Sequence, residues 1–155
     1  MNMGERYISS FINSINGVFA GLGLGEFVSG NIYKKDSCTC RYNFTTIVGL
    51  SGGIKGNVAL SMPYDTAKKI ASAMMMGMEV TEIDEMSVSA LGEMANMVCG
   101  QAAMELSSRN LSIDITPPTT IHGDKIKAII SQVETVAVEL NSPLGSIELN
   151  LGLEI

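Results

Sequence analysis

Apolar residues recur every three to four positions between Arg6 and Leu22, at Ile8, Phe11, Ile12, Ile15, Val18, Phe19 and Leu22. That stripe predicts an amphipathic helix, and Gly21, Gly23 and Gly25 are placed to end it. Two strand-like runs follow, about Phe27–Lys34 and Tyr42–Leu50, the second rich in Thr, Ile and Val. Ser51-Gly52-Gly53 marks a turn, and Ile54–Met62 reads as the returning strand of a hairpin. Pro63 suits the start of a second helix, about Tyr64–Met76, with Gly77 as its stop. A third helix is expected from about Ile83 to Arg109. A short strand, Leu111–Thr116, follows, and Pro117-Pro118 breaks it. The last hairpin pairs about Ile130–Leu140 with Gly145–Ile155 around Asn141-Ser142-Pro143-Leu144. In its second arm Ile147, Leu149, Leu151, Leu153 and Ile155 point one way, and Glu148, Asn150, Gly152 and Glu154 the other. One buried and one solvated sheet face are therefore expected.

The order repeats. Helix, strand and hairpin over residues 6–62 are matched by helix, strand and hairpin over 83–155, with the 64–76 helix linking the halves. We read the 155 residues as a single α+β domain with pseudo-twofold symmetry, its helices packed on one face of an antiparallel sheet.

Composition narrows the function. Hydrophobic residues make up 46% and charged residues 17%, which suits a folded core and excludes a disordered chain. Sixteen acids against ten bases leave a net charge of -6. With no Trp and 5% aromatics, the chain has neither the basic footprint nor the stacking platforms of a nucleic-acid binder. No run approaches the roughly 18 apolar residues that span a bilayer, so no membrane partner is expected. Three cysteines are too few and too odd a set for a secreted disulfide framework, and the chain reads as cytoplasmic. Most of the eleven methionines recur at helical spacing and read as core filler.

The third helix carries the candidate chemistry. Its apolar residues, among them Leu91, Met94, Ala95, Met97, Val98 and Leu106, cover most of its circumference. They leave a narrow stripe of Glu85, Ser89, Gly92, Glu93, Asn96 and Gly100. Glu93 and Asn96 stand three residues apart, on one face of adjacent turns. Gly92 and Gly100 lie one turn either side of Asn96, and each weakens a helix by about 1 kcal/mol relative to alanine. Two such losses beside one asparagine point either to close approach by a partner or to tight packing on a neighbouring helix.

The run Leu91-Gly92-Glu93-Met94-Ala95-Asn96-Met97-Val98-Cys99-Gly100-Gln101-Ala102 resembles the signature helix of the CheX/CheC family of chemotaxis phosphatases, most closely its CheX branch. Gly49–Pro63 is similar to that family's central hairpin, and Pro117-Pro118-Thr119-Thr120-Ile121-His122-Gly123 to its Pro-Thr-x-x-x-Gly turn. The resemblance implies a CheC-like fold and hydrolysis of the aspartyl phosphate on a CheY-like response regulator. Glu93 and Asn96 would be the catalytic pair, with Gly92, Gly100 and Ser89 docking the partner. It implies no metal or cofactor bound by this chain, with Mg2+ held in the receiver's own acidic pocket, and it implies a homodimer. CheC relatives carry two such motifs. Here the first helix reads Asn13-Ser14-Ile15-Asn16-Gly17, with Asn13 where the glutamate should be, so one active site is expected. Gln101 and Ala103 also depart from the Asn and Lys common in the family.

Other readings carry less. Cys38, Cys40, Cys99 and the only histidine, His122, could form a zinc site on paper, but Cys-x-Cys is tighter than the usual ligand spacing. Cys99 reads as a core thiol, Cys38 and Cys40 as residents of an exposed loop, and His122 as a solvated turn residue. Neither Ser51-Gly52-Gly53 nor Gly21–Gly25 has the Lys-Ser/Thr of a phosphate loop. Asp36 and the Glu82–Asp84–Glu85 group read as solvated or capping acids. The competing function is a phosphate-independent scaffold of the same fold, as in flagellar-switch components. The alternating C-terminal strand also offers an edge for pairing with a second copy.

Overall fold

The structure is a computed structural model, and it describes residues 3–124 and 127–154. Helix α1 (Met3–Gly21) leads into β1 (Val28–Lys35), a short β2 (Cys38–Thr39), and the hairpin β3 (Phe44–Gly52) and β4 (Lys55–Met62). Helices α2 (Tyr64–Met74) and α3 (Glu85–Ser107) follow. The chain closes with β5 (Ile113–Ile115), β6 (Thr119–His122), β7 (Ile129–Ser131), β8 (Thr135–Ser142) and β9 (Gly145–Glu154). Ile155, which the sequence pattern assigns to the last strand, lies outside the described residues.

The main sheet runs β1-β8-β9-β4-β3-β5, with β6 also paired to β3, and all these pairings are antiparallel. Read from either end, the order is edge strand, hairpin, hairpin, edge strand. Each half lends its first strand to the other half's hairpin: β1 pairs β8, while β5 and β6 pair β3. The approximate dyad falls between β9 and β4. There Gly56 lies against Leu153 at φ +144, and a Cβ would come within 2.1 Å of the Gly152 carbonyl oxygen. Only glycine lets the two hairpins meet this closely.

The three helices cover one face of the sheet. Phe11, Ile15 and Phe19 of α1, Leu91, Met94 and Val98 of α3, and Ile70 of α2 join Val58, Leu60, Leu149 and Leu151 in one apolar cluster. Among the described residues no helix is long and apolar enough to cross a membrane.

Five expectations need correction. The second face of β9 is not solvated, since Glu148 and Asn150 are 1% and 0% exposed. Lys35 reaches from β1 to Glu148 Oε1 at 2.7 Å and Asn150 Oδ1 at 2.8 Å, Tyr33 donates to Glu148, and Asn150 Nδ2 donates to Glu148 at 3.0 Å. A buried carboxylate survives because it is paired and hydrogen-bonded. Nor is β9 an edge, because it pairs with β4 on one side and β8 on the other.

Cys38 lies in no exposed loop. It is buried in β2, which pairs with β7 into a small ribbon over the outer face, and burial pushes its thiol up to about 11. His122 is exposed as expected, but it lies in a strand rather than a turn, opposite Phe44, its ring 5.8 Å from the Phe44 ring and its Nδ1 3.4 Å from the Tyr64 hydroxyl. The methionines are not mainly core: Met62 and Met94 are buried, whereas Met76, Met78, Met86, Met97 and Met104 are exposed. Met86, Met97 and Met104 lie on α3, where helical period does not decide whether anything covers them, and Met76 and Met78 lie beyond the end of α2.

Candidate functional site

The site rests on α3, and its start is locally determined. Asp84 caps the helix, Oδ1 accepting the Ser87 N–H at 2.9 Å, and Ser87 Oγ accepts the Asp84 N–H at 2.7 Å. This reciprocal cap satisfies two otherwise unpaired donors, and it holds the Asp84 carboxyl below its ordinary range. The capping reading of Asp84 is therefore correct. Leu91, Met94, Ala95, Val98, Cys99, Ala102 and Leu106 then anchor α3 in the core. Cys99 is a core thiol, pushed up to about 12 by burial.

With that face fixed, Glu93 is exposed and Asn96 half-buried, one turn apart. Among the described residues Glu93 enters no ion pair, so its carboxylate is uncommitted. Asn96 Oδ1 is turned inward, out of contact with solvent, and accepts no hydrogen bond. A buried acceptor left unpaired costs about 1–3 kcal/mol. Nothing bonded to Oδ1 holds the carboxamide in place. Its terminal torsion is broadly two-fold, so turning it over presents the oxygen outward.

The first half shows what a committed asparagine looks like. Asn13-Ser14-Ile15-Asn16-Gly17 and Glu93-Met94-Ala95-Asn96-Met97 share one burial register: exposed, buried, buried, half-buried, exposed. Asn16 Oδ1, however, accepts the Phe27 N–H at 2.9 Å, tying α1 to the start of β1, and the Phe27 ring packs 4.9 Å from that of Phe19. On α3 it is Pro118 that lies over Gly92, one turn from Asn96, and proline has no N–H to offer.

The glycines part company. A Cβ at Gly92 would stand 2.9 Å from Pro118 Cγ, so Gly92 is covered from within the chain and is not open for docking as the motif implied. Its small size serves the crossing of the Pro-Pro segment. Gly100 has open space where a Cβ would go, and Ser89 is exposed, so both remain on the free surface beside Glu93 and Asn96. The helix pattern did not single out the groove beyond Gly100, where Met97 and Met104 face Gly17 and Gly21 across a space of about 470 Å³. The seven-residue spacing of those methionines around Gly100 was the available signal.

The zinc alternative fails on placement. Cys38 belongs to the small outer cluster and Cys99 to the main core, and among the described residues no group of three His, Cys, Asp or Glu side chains could hold a metal.

Comparison with known proteins bears on the family and the fold. Residues 44–141 match the family described as chemotaxis phosphatase CheX. The chain is 43% identical over 125 residues, 81% of each chain, to the CheY-P phosphatase CheX of Thermotoga maritima. The crystal structure of CheX from Desulfovibrio desulfuricans superposes with a TM-score of 0.85 at 21% identity, over 96% of this chain and 99% of that one. A CheX–CheY–BeF3–Mg2+ complex from Borrelia burgdorferi matches at a TM-score of 0.76 and 26% identity, over 96% and 98%.

Proposed function

Since the chain belongs to the CheX family of chemotaxis phosphatases, we propose that it hydrolyses the aspartyl phosphate of a CheY-like response regulator, with Glu93 and Asn96 as its working pair. The observation that carries the residue assignment is the unbonded Oδ1 of Asn96, against the bonded Oδ1 of its counterpart Asn16.

An acyl phosphate is already reactive, so what remains is to hold a water in line with phosphorus. The Asn96 carboxamide, turned outward, accepts from that water and donates elsewhere without repelling the phosphoryl oxygens. Glu93, one turn nearer the helix start, offers its free carboxylate to a lysine beside the receiver's phosphorylated aspartate. That pair sets the register of docking. Mg2+ belongs to the receiver's acidic pocket in this reading, and this chain contributes no ligand to it. The CheY-containing complex of the Borrelia relative supports the choice of partner.

Cytoplasmic placement is part of the same proposal, supported by three cysteines that are all free thiols. So is a homodimer, carried by the family resemblance. Since β9 is interior, it would have to use the exposed edge of β1 or that of β5 and β6. The function is tested by adding the chain to a phosphorylated CheY-like receiver and following phosphate release. Turnover of many receivers per chain supports it, and decay at the receiver's own rate opposes it.

A further inference from the structure

Glu93 and Asn96 divide the exposed surface of α3 into two unlike parts. Toward the helix start lie Glu85 and Ser89, polar and exposed, with Met86 exposed between them. Toward its end, Met97, Gly100 and Met104 form one wall of the groove with Gln101, whose amide reaches toward Gly17, and Gly17, Gly21 and Leu22 form the other. No charged side chain lines this space, and Met104 is 74% exposed. No atom comes within 4 Å of the position a Cβ would take at Gly21 or Gly100, so the groove is open at these two positions, while Gln101 covers Gly17.

We infer that this groove between α1 and α3 receives an apolar side chain, or one apolar helical turn, of the response regulator beside its phosphorylated aspartate, and so fixes receiver choice. The inference rests on the phosphatase reading, because that reading puts the phosphoryl group at Asn96. A specific protein contact covers about 800 Å² on each partner, a disc of roughly 16 Å radius. Met104 stands eight residues beyond Asn96, about 12 Å along the helix, well inside it. The groove is therefore continuous with the surface the receiver must cover. Apolar anchors in desolvated pockets carry much of such binding. A receiver with a cation for Glu93 on one side and an apolar prominence on the other can dock in only one sense.

Met104→Gln, and the pair Gly21→Gln with Met104→Gln, test this without adding charge. Met104 is exposed and Gly21 has space for a side chain, and the single variant serves as the check on folding. Phosphate release and receiver binding by titration are measured separately. The expected result is a KM and a dissociation constant raised by about tenfold in the pair, kcat within about twofold of the parent, and unchanged sedimentation of the free chain. Unchanged receiver binding overturns the inference. A shift in the free chain's sedimentation with normal receiver binding also overturns it, and assigns the groove to a second copy. A parent that binds but does not hydrolyse contradicts the phosphatase reading, while the titrations still decide the groove.

Discussion

Asn16 and Asn96 occupy the same burial register in the two halves of the fold, and only Asn16 has its side-chain oxygen bonded, to the N–H of Phe27 at 2.9 Å. One asparagine is structural and the other is left free. In the first half the partner is the Phe27 N–H, whereas the residue lying over α3 one turn from Asn96 is Pro118, which has no N–H.

This relationship predicts opposite stability effects. Asn16→Ala removes a made hydrogen bond and strands the Phe27 donor, and should destabilise by about 1–2 kcal/mol. Asn96→Ala removes an unpaired buried acceptor and should leave stability unchanged or slightly raised. Urea unfolding of the two variants beside the parent measures both, and a comparable loss in each would contradict the distinction.

On the outer face, Lys35 and Glu148 form a nearly buried pair, their side chains 18% and 1% exposed. Lys35→Met leaves the buried carboxylate with the Tyr33 and Asn150 donors and the more distant Arg41 at 3.9 Å but without its close cation, and should destabilise by up to about 3 kcal/mol. Adding Glu148→Gln should recover much of that loss. If the single variant is as stable as the parent, the pair does not hold β1 to the sheet.

Burial pushes the thiols of Cys38 and Cys99 up to about 11 and about 12. The thiolate is the nucleophile, so at pH 8 both stay protonated, far below those values. Iodoacetamide on the native chain should label Cys40 alone, with all three labelled in denaturant. Mass spectrometry counts the adducts, and two or more on the native chain would contradict this burial.

Much of the candidate site was legible along the chain. Glu93 and Asn96 stand out because the remainder of their helix is apolar, and Asp84 because it lies among acids at the start of that helix, where a carboxylate can cap it. The features missed depend on distant partners. The polar alternation of β9 is real, but its second face is closed by Lys35 and Tyr33, more than a hundred residues earlier. Strands β2, β6 and β7 span two to four residues, too few to show a period, and β3 pairs β6 across the break that Pro117-Pro118 makes. Gly92 was read as open to a partner because no local pattern shows Pro118 folding back on it.

The docking roles should separate from catalysis. Glu93→Ala should weaken receiver binding by about 2 kcal/mol, if its lysine partner is desolvated on docking, and should slow hydrolysis as well. A Cβ at Gly100 meets nothing within 4 Å, so Gly100→Leu should fold normally and block docking. Calorimetric titration with the receiver reads both, and normal binding by Gly100→Leu would place the receiver elsewhere.

The central claim is tested most directly by following labelled phosphate on a CheY-like receiver with parent and Asn96→Ala side by side, at matched receiver occupancy. The account predicts rapid loss with the parent, and loss slowed by about two orders of magnitude or more with Asn96→Ala although the complex still forms. Equal rates from the two proteins would show that Asn96 does not position the water. A parent that binds the receiver without accelerating loss would make this chain a scaffold.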